Sequence, residues 1–428
     1  MKIKNSKYLQ LILIPLLILL QVTFLFIHQD ITTYTVLLIS SSVIYLMFTI
    51  LLFKMDITDK YIFLLLTFFF LIKILFINTE PIGSDDYYRY IWDGKVQADG
   101  INPYQYAPND STLNHLNSEL LPAKVSYPTI KTIYFPVSQW LFCLSYWLTG
   151  ENAIGLKIFY LLFELIILIS LYFFLKRFSI ETKYILIYAS LPLITFQFFI
   201  DAHIDIVGVA LMISSITFYF YNRKLLSYIL LGLSVSVKPT GFLLIPFLFQ
   251  NEIDFKDKIK SLFIPISVFV ITFLPYIFTA TPLGTLINYS VHWTFNGMIY
   301  NTLNIFINDN STIRIICGIL FLLVYVYLFF IRLQLINKIY LSLFLLMIFS
   351  PVVHPWYLIW FAVLLPVVRS YSGIYFVSAV SLTFLVVVNY QQADIWKESS
   401  IILLVQYLPI LMLFIYEIVK RKYLSDTL

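Results

Sequence analysis

The sequence predicts an all-α, polytopic integral membrane protein of about 12 to 14 membrane segments, with a structured first outer loop carrying juxtamembrane helices. Three observations carry that expectation. Hydrophobic residues make up 60% of the 428 and charged residues only 12%, for a mean hydropathy of +0.87. The apolar residues fall in repeated runs of bilayer-spanning length, a bilayer core of about 30 Å taking about 20 helical residues to cross. Lys and Arg residues gather at alternate ends of those runs, as the positive-inside rule requires. No soluble domain is left over: the longest polar stretches, residues 79–132 and 280–310, are too short to bury cores of their own. Residues 1–428 therefore read as one transmembrane domain, with 79–132 as the first outer, catalytic loop and 280–310 as the second outer loop.

Taken in order, Lys2, Lys4 and Lys7 precede the first span, 9–27, and place the N-terminus in the cytoplasm. That apolar run is too long for a signal peptide, and no small-residue cleavage site follows it. The second span, 34–53, returns to Lys54 and Lys60, and the third, 61–77, carries the chain outward. Lys420, Arg421 and Lys422 fix a cytoplasmic C-terminus. Counting back from there puts outer ends at 391–399, 354–357, 280–310 and 201–205. Inner ends fall at 369, 332–338, 251–260, 223–224 and 176–183. The two counts agree only if one segment fails to cross. The short segment 134–148, with Pro136, Ser138, Gln139, Ser145 and two tryptophans, takes that role as an interfacial or re-entrant helix. Runs 225–237 and 241–250 are also too short for two crossings. The Lys238-Pro239-Thr240 turn between them points outward from within the membrane, where irregular backbone is tolerated only against protein or a wet cavity.

The net charge of +5 is explained by this topology, and no basic stripe calls for nucleic acid as a partner. Cys143 and Cys317 lie in apolar runs, which argues against both a disulfide framework and cysteine chemistry. Neither a glycine-rich nucleotide loop nor a histidine pair with metal spacing occurs, so a nucleotide-bound donor is disfavoured. No cofactor is indicated beyond a divalent cation that the paired Asp85 and Asp86 could hold.

Chemistry concentrates in 83–108, GSDDYYRYIWDGKVQADGINPYQYAP. Two touching carboxylates, Asp85 and Asp86, cannot both ionise cheaply, so one has the raised pKa of a base, or the pair holds a cation. Arg89 is one helical turn away, able to pair with a carboxylate or to clamp a phosphate. Trp92 and Asp93 combine an apolar plate with an acceptor, which suits a sugar ring, and Asn102 and Tyr104 follow in the Asn-Pro-Tyr turn. The competing reading is a wet connector with an ordinary helix start. Later clusters are His203 and Asp205 in the Asp-Ala-His-Ile-Asp stretch, His292 beside Trp293, and His354, Trp356 and Tyr357 in His-Pro-Trp-Tyr. Lys238 is costly inside a membrane; either a lipid phosphate or a buried carboxylate such as Glu164 would answer it.

The order SDDYYRYIWDG, GINPYQYAP, YFP, DAHID, VKP and HPWY resembles the GT-C superfamily of polyprenyl-phosphate-sugar-dependent glycosyltransferases, most of all bacterial α-mannosyltransferases that use polyprenyl-phosphate mannose. The resemblance covers nearly the whole chain. It implies a hexosyltransferase of the bacterial inner membrane with its active site on the outer face. Mannose would pass from the lipid phosphate to a hydroxyl of a glycan or lipid acceptor by an inverting mechanism. Asp85 or Asp86 would be the base, and Asp205 or His203, Lys238 and His354 would line the donor site. One departure is Tyr134-Phe135-Pro136, where many relatives have Tyr-Pro-Pro. Two other readings remain at this stage: a lipid-linked-sugar transporter or flippase, and a glycan polymerase or ligase.

Overall fold

The computed structural model describes residues 6–420 and 422–423, so Lys2, Lys4 and Arg421 of the charge map lie outside the described residues. Among these residues every extended element is helical, and the β contacts are isolated bridges from Phe295 and Asn296 to Val352. Among the described residues five helices are long and apolar enough to cross a bilayer: Ile31–Leu52, Ile154–Arg177, Asn310–Phe330, Tyr371–Ala393 and Ser400–Val419. A sixth span results if Thr182–Ala189 and Pro192–Ile200, bent by 49° at their break, count as one.

This is fewer than the 12 to 14 segments expected. Apolar runs that look continuous in the sequence are cut by turns and prolines into shorter helices, among them Asp205–Phe220, Lys224–Val235 and Leu335–Phe349. A helix of 12 residues such as Lys224–Val235 spans about 18 Å, short of the hydrocarbon thickness. The 14-residue helix Pro136–Thr149 reaches only about 21 Å. Pro136 starts it, since its missing N–H is one the first turn leaves unbonded anyway. Phe135, the departure from the family pattern, fills the adjoining space against Phe269 and Phe273, with ring centroids 5.7 and 5.6 Å away.

Outward faces are apolar. Leu323 and Phe330 are 62% and 75% exposed and Met412 63% exposed, which water would penalise and lipid does not. Charges within the bundle are neutralised locally. Lys73 pairs with Glu164, whose other oxygen accepts from the Tyr188 hydroxyl at 2.8 Å. Deleting one partner of such a pair would leave an uncompensated buried charge.

The Ile31–Leu52 helix has 22 residues and so runs about 33 Å, and its two ends meet different chemistry. Tyr34 near its start donates to Asp201. Phe53, just past its end, packs on Tyr184 and Tyr371 with centroids 5.8 and 5.6 Å apart. The segments around 83, 204, 238, 354 and 391 gather at the Tyr34 end. Those around 53, 337, 369 and 422 gather at the other.

Candidate active site

The approach of the chain to Asp85 and Asp86 is fixed by Asp201. A π-helical turn, Thr195–Ile200, and the left-handed backbone of Ala202 (φ 61°) deliver this carboxylate into the protein interior. There its Oδ1 accepts from the Ile82 and Gly83 amides at 3.1 and 2.8 Å, and its Oδ2 from the Tyr34 hydroxyl. Residue 83 has to be glycine for this contact: a Cβ there would lie 2.5 Å from Asp201 Oδ2 and 2.8 Å from the Phe384 ring. Lys157, fully buried, donates to the carbonyls of Phe76 and Thr79 at 3.2 and 2.5 Å and ties down the preceding turn. From this anchor Asp86 opens the helix Asp86–Ala98. Gly94 lets that helix lie flush on Pro136–Thr149, since a Cβ would come 2.3 Å from the Phe142 carbonyl oxygen.

The loop and five later segments enclose a cavity of about 900 Å³. Asp85, Asp86, Arg89, Asp205, Lys238, His354, Trp356 and Tyr357 all line it. Asp85 is exposed and accepts from Ser126. Asp86 is set deeper, and burial together with the neighbouring Asp85 carboxylate pushes its pKa up to about 7, although Lys238 pulls the other way. A carboxyl with that affinity is suited to take a hydroxyl proton near neutral pH.

Opposite, Lys238 Nζ donates to Asp205 Oδ1 at 2.6 Å and sits 3.5 Å from the Tyr357 ring centroid. The same Asp205 oxygen accepts from the Trp360 indole at 2.8 Å. Lys238 thus answers Asp205, while Glu164, the alternative partner weighed from the sequence, is taken by Lys73. The Trp356 ring is sandwiched between His203 at 3.6 Å and His354 at 4.3 Å. Trp293 Nε1 donates to His354 Nε2 at 3.1 Å; a tryptophan only donates, so His354 is neutral with its proton on Nδ1. Burial and the Lys238 charge hold its pKa down to about 3, in keeping with that state. His203 is fully buried behind the wall, with Nδ1 3.6 Å from Asp86 Oδ2.

Other residues singled out in the sequence lie elsewhere. Trp92 is 1% exposed and does not line the cavity: six residues on from Asp86, it faces a different side of the helix. Asp93 is two turns further along Asp86's own stripe, where it accepts from Gln139 Nε2 at 2.9 Å inside the core. Asn102 binds Thr279 Oγ1 at 2.5 Å and the Ala280 carbonyl at 3.2 Å, and the Tyr104 hydroxyl donates to the Tyr134 carbonyl at 2.8 Å. Both hold loops together. His292 ends the helix Leu283–His292 away from the cavity lining. Arg89 lines the cavity but forms no ion pair with Asp85 or Asp86 among the described residues; its Nη2 donates to the Ser126, Tyr127 and Ile130 carbonyls at 3.3, 3.1 and 2.9 Å. It braces the 126–130 segment beside the aspartates. Among the described residues no group of three or more His, Cys, Asp or Glu is arranged to hold a metal ion.

Residues 18–251 match the family model for the N-terminal domain of alpha-(1->6)-mannopyranosyltransferases. The chain belongs to that family. Residues 293–416 match the MptB C-terminal domain, so the GT-C polyprenyl-phosphate mannosyltransferase likeness of the first loop holds across most of the chain. No curated protein matches it. In this mannopyranosyltransferase the cavity is shared between the two matched regions: Asp86, Asp205 and Lys238 come from the first, and Trp293, His354 and Trp396 from the second.

Sequence reading missed two features of the mannosyltransferase site. Asp201 carries the loop, yet nothing in its flanking residues distinguishes it from Asp205. An aromatic rim of Tyr127, Trp293, Tyr390 and Trp396 also lines the cavity. Trp293 and Trp396 have centroids 6.0 Å apart, Tyr127 lies 5.9 Å from Trp293, and Tyr390 lies 5.5 Å from Trp396. Their common signal is aromatic residues in or beside segments expected on the outer side.

Proposed function

We propose that the protein transfers mannose from a polyprenyl phosphate to an acceptor hydroxyl, with inversion, at the non-cytoplasmic face of the bacterial inner membrane. The supporting observation is that Asp86, Asp205, Lys238 and His354, far apart in sequence, line one cavity. In this reading Asp86 is the base rather than Asp85, which is exposed and bonded to Ser126. Asp86 takes the hydroxyl proton, the acceptor oxygen attacks the anomeric carbon, and the bond from that carbon to the phosphate oxygen breaks. The electron pair leaves on the phosphate, where Lys238 and the Nδ1–H of His354 stabilise it. Lys238 then exchanges part of its bond with Asp205 for the phosphate, and Asp205 keeps the ammonium aimed at the cavity. The aromatic rim supplies flat faces for the acceptor, which is a glycan or a glycolipid. Both termini are cytoplasmic, and the short helices supplement the long ones as incomplete crossings.

The test is transfer of labelled mannose from polyprenyl-phosphate mannose by purified Asp86→Asn and Asp85→Asn variants. Loss of a general base lowers rate by about 10²- to 10⁴-fold. Asp86→Asn is expected to fall in that range and Asp85→Asn to stay within about tenfold of the parent. Full transfer by Asp86→Asn would refute the assignment.

A further inference from the structure

A second cavity, of about 220 Å³, lies at the far end of the Ile31–Leu52 helix from the mannosyl site, lined by Phe53, Asn337, Arg369, Tyr371 and Lys422 among others. We propose that it binds a phosphate-bearing anion, the headgroup of an acidic phospholipid in the leaflet opposite the active site.

The charge balance is the first reason. Two cations, Arg369 and Lys422, line this space, and Lys422 pairs with Glu417. Its oxygens already accept from the Ser370 and Ser372 hydroxyls at 3.0 and 2.6 Å, the Tyr423 hydroxyl at 2.7 Å and the Tyr371 amide at 2.5 Å. Lys422 Nζ reaches it at 3.2 Å and also donates to the Arg369 carbonyl. Arg369 makes no ion pair among the described residues and rests on an aromatic face, 5.0 Å from the Tyr184 centroid. Its planar fork is the side chain best matched to two phosphate oxygens.

Backbone geometry is the second reason. Arg369 is left-handed (φ 55°, ψ 39°), a conformation unfavourable for a side chain of this size. The bond from Lys422 to the Arg369 carbonyl helps to hold it there. Strain of this kind persists where the surroundings over-determine it, often at ligand sites.

Position decides the source. The neighbouring segment ends carry further cations, among them the exposed Lys54 beside Phe53, whereas Lys183 is buried and paired with Glu181 at 2.7 Å. Such clusters beside membrane spans attract the anionic lipids of the cytoplasmic leaflet. Phe53 and Tyr371 then offer apolar surface where the glycerol backbone leaves the phosphate.

The full-length protein is placed in nanodiscs of phosphatidylcholine, of phosphatidylcholine with phosphatidylglycerol, and of phosphatidylcholine with inorganic phosphate in the buffer. Unfolding temperature and lipid retained after detergent extraction are read, the latter by native mass spectrometry. The parent should rise in Tm with phosphatidylglycerol and keep it as an adduct. Arg369→Gln should retain roughly tenfold less, as expected for loss of a bidentate charged contact. Arg369→Lys should fall between. Lys176→Gln, an exposed cation 3.6 Å from Asp59 at the end of Ile154–Arg177, should retain as much as the parent. If inorganic phosphate alone raises Tm and Arg369→Gln removes that rise, the anion site stands with free phosphate as its ligand. Equal retention by Arg369→Gln, equal loss in Lys176→Gln, or a parent that does not distinguish phosphatidylglycerol from phosphatidylcholine would each overturn it. Should Arg369→Gln fail to fold, the three parent conditions still decide. Asp86→Asn should leave lipid retention unchanged, which separates this test from that of the mannosyl site.

Discussion

Asp86 and Lys238 set the pH behaviour of the cavity. Because burial and Asp85 hold the Asp86 pKa up to about 7, the base form increases as pH rises through that value. Transfer should climb across pH 6 to 8 and level off above, measured as kcat/KM against pH. Lys238 lowers this pKa, so Lys238→Met should move the midpoint upward while also cutting kcat; an unmoved midpoint would show that the two charges do not sense each other. Stability carries the opposite sign from activity. With the folded pKa raised above the ordinary carboxylate value of 3.8, the native state binds more protons than the unfolded chain between there and about 7. Stability is therefore lost as pH rises through that window, and Asp86→Asn should raise Tm at neutral pH even as it slows transfer.

At the scale of elements, the site depends on how Asp201 and Gly83 seat the start of the first loop. Asp201→Asn keeps the shape but weakens the charge-assisted bonds from Tyr34, Ile82 and Gly83. Asp201 lies outside the cavity lining, so kcat should drop by more than the donor KM changes. Gly83→Ala puts a methyl group against Asp201 and Phe384, and overpacking of this kind costs about 1 to 3 kcal/mol. Thermal unfolding should show that loss together with reduced transfer. The clusters at Asp85, Asp205, Lys238 and His354 were legible in the sequence because polar groups in an apolar chain stand out. Trp92, Asp93, Asn102 and Tyr104 stand out for the same reason and yet hold helices and loops together. Composition shows that a polar residue is kept; only packing shows whether it faces a cavity or a carbonyl.

On the scale of the whole molecule, the helical, membrane-embedded class follows from hydropathy alone, and the number of spans does not. Hydropathy counts apolar runs, whereas the turn at Lys238-Pro239 and the bend between Ala189 and Pro192 divide runs into pieces shorter than a bilayer. The charge map fares differently, because helix direction couples the two ends of every long element. Residues expected inside, such as Arg369 and Lys422, meet at one cavity, and those expected outside, such as His354 and Asp205, meet at another. Orientation in the membrane is open to a direct check, since Cys143 and Cys317 are both buried and give little background to thiol reagents. In intact cells an impermeant maleimide should label Lys397→Cys, and Lys256→Cys only after permeabilisation; the reverse pattern would invert the assigned faces. The most direct measurement is a structure of the full-length protein with a polyprenyl phosphate bound. Its phosphate is expected within hydrogen-bonding reach of Lys238 or His354, with Asp86 facing the position of the transferred sugar. A phosphate seated outside that cavity, remote from both residues, would contradict the proposed chemistry.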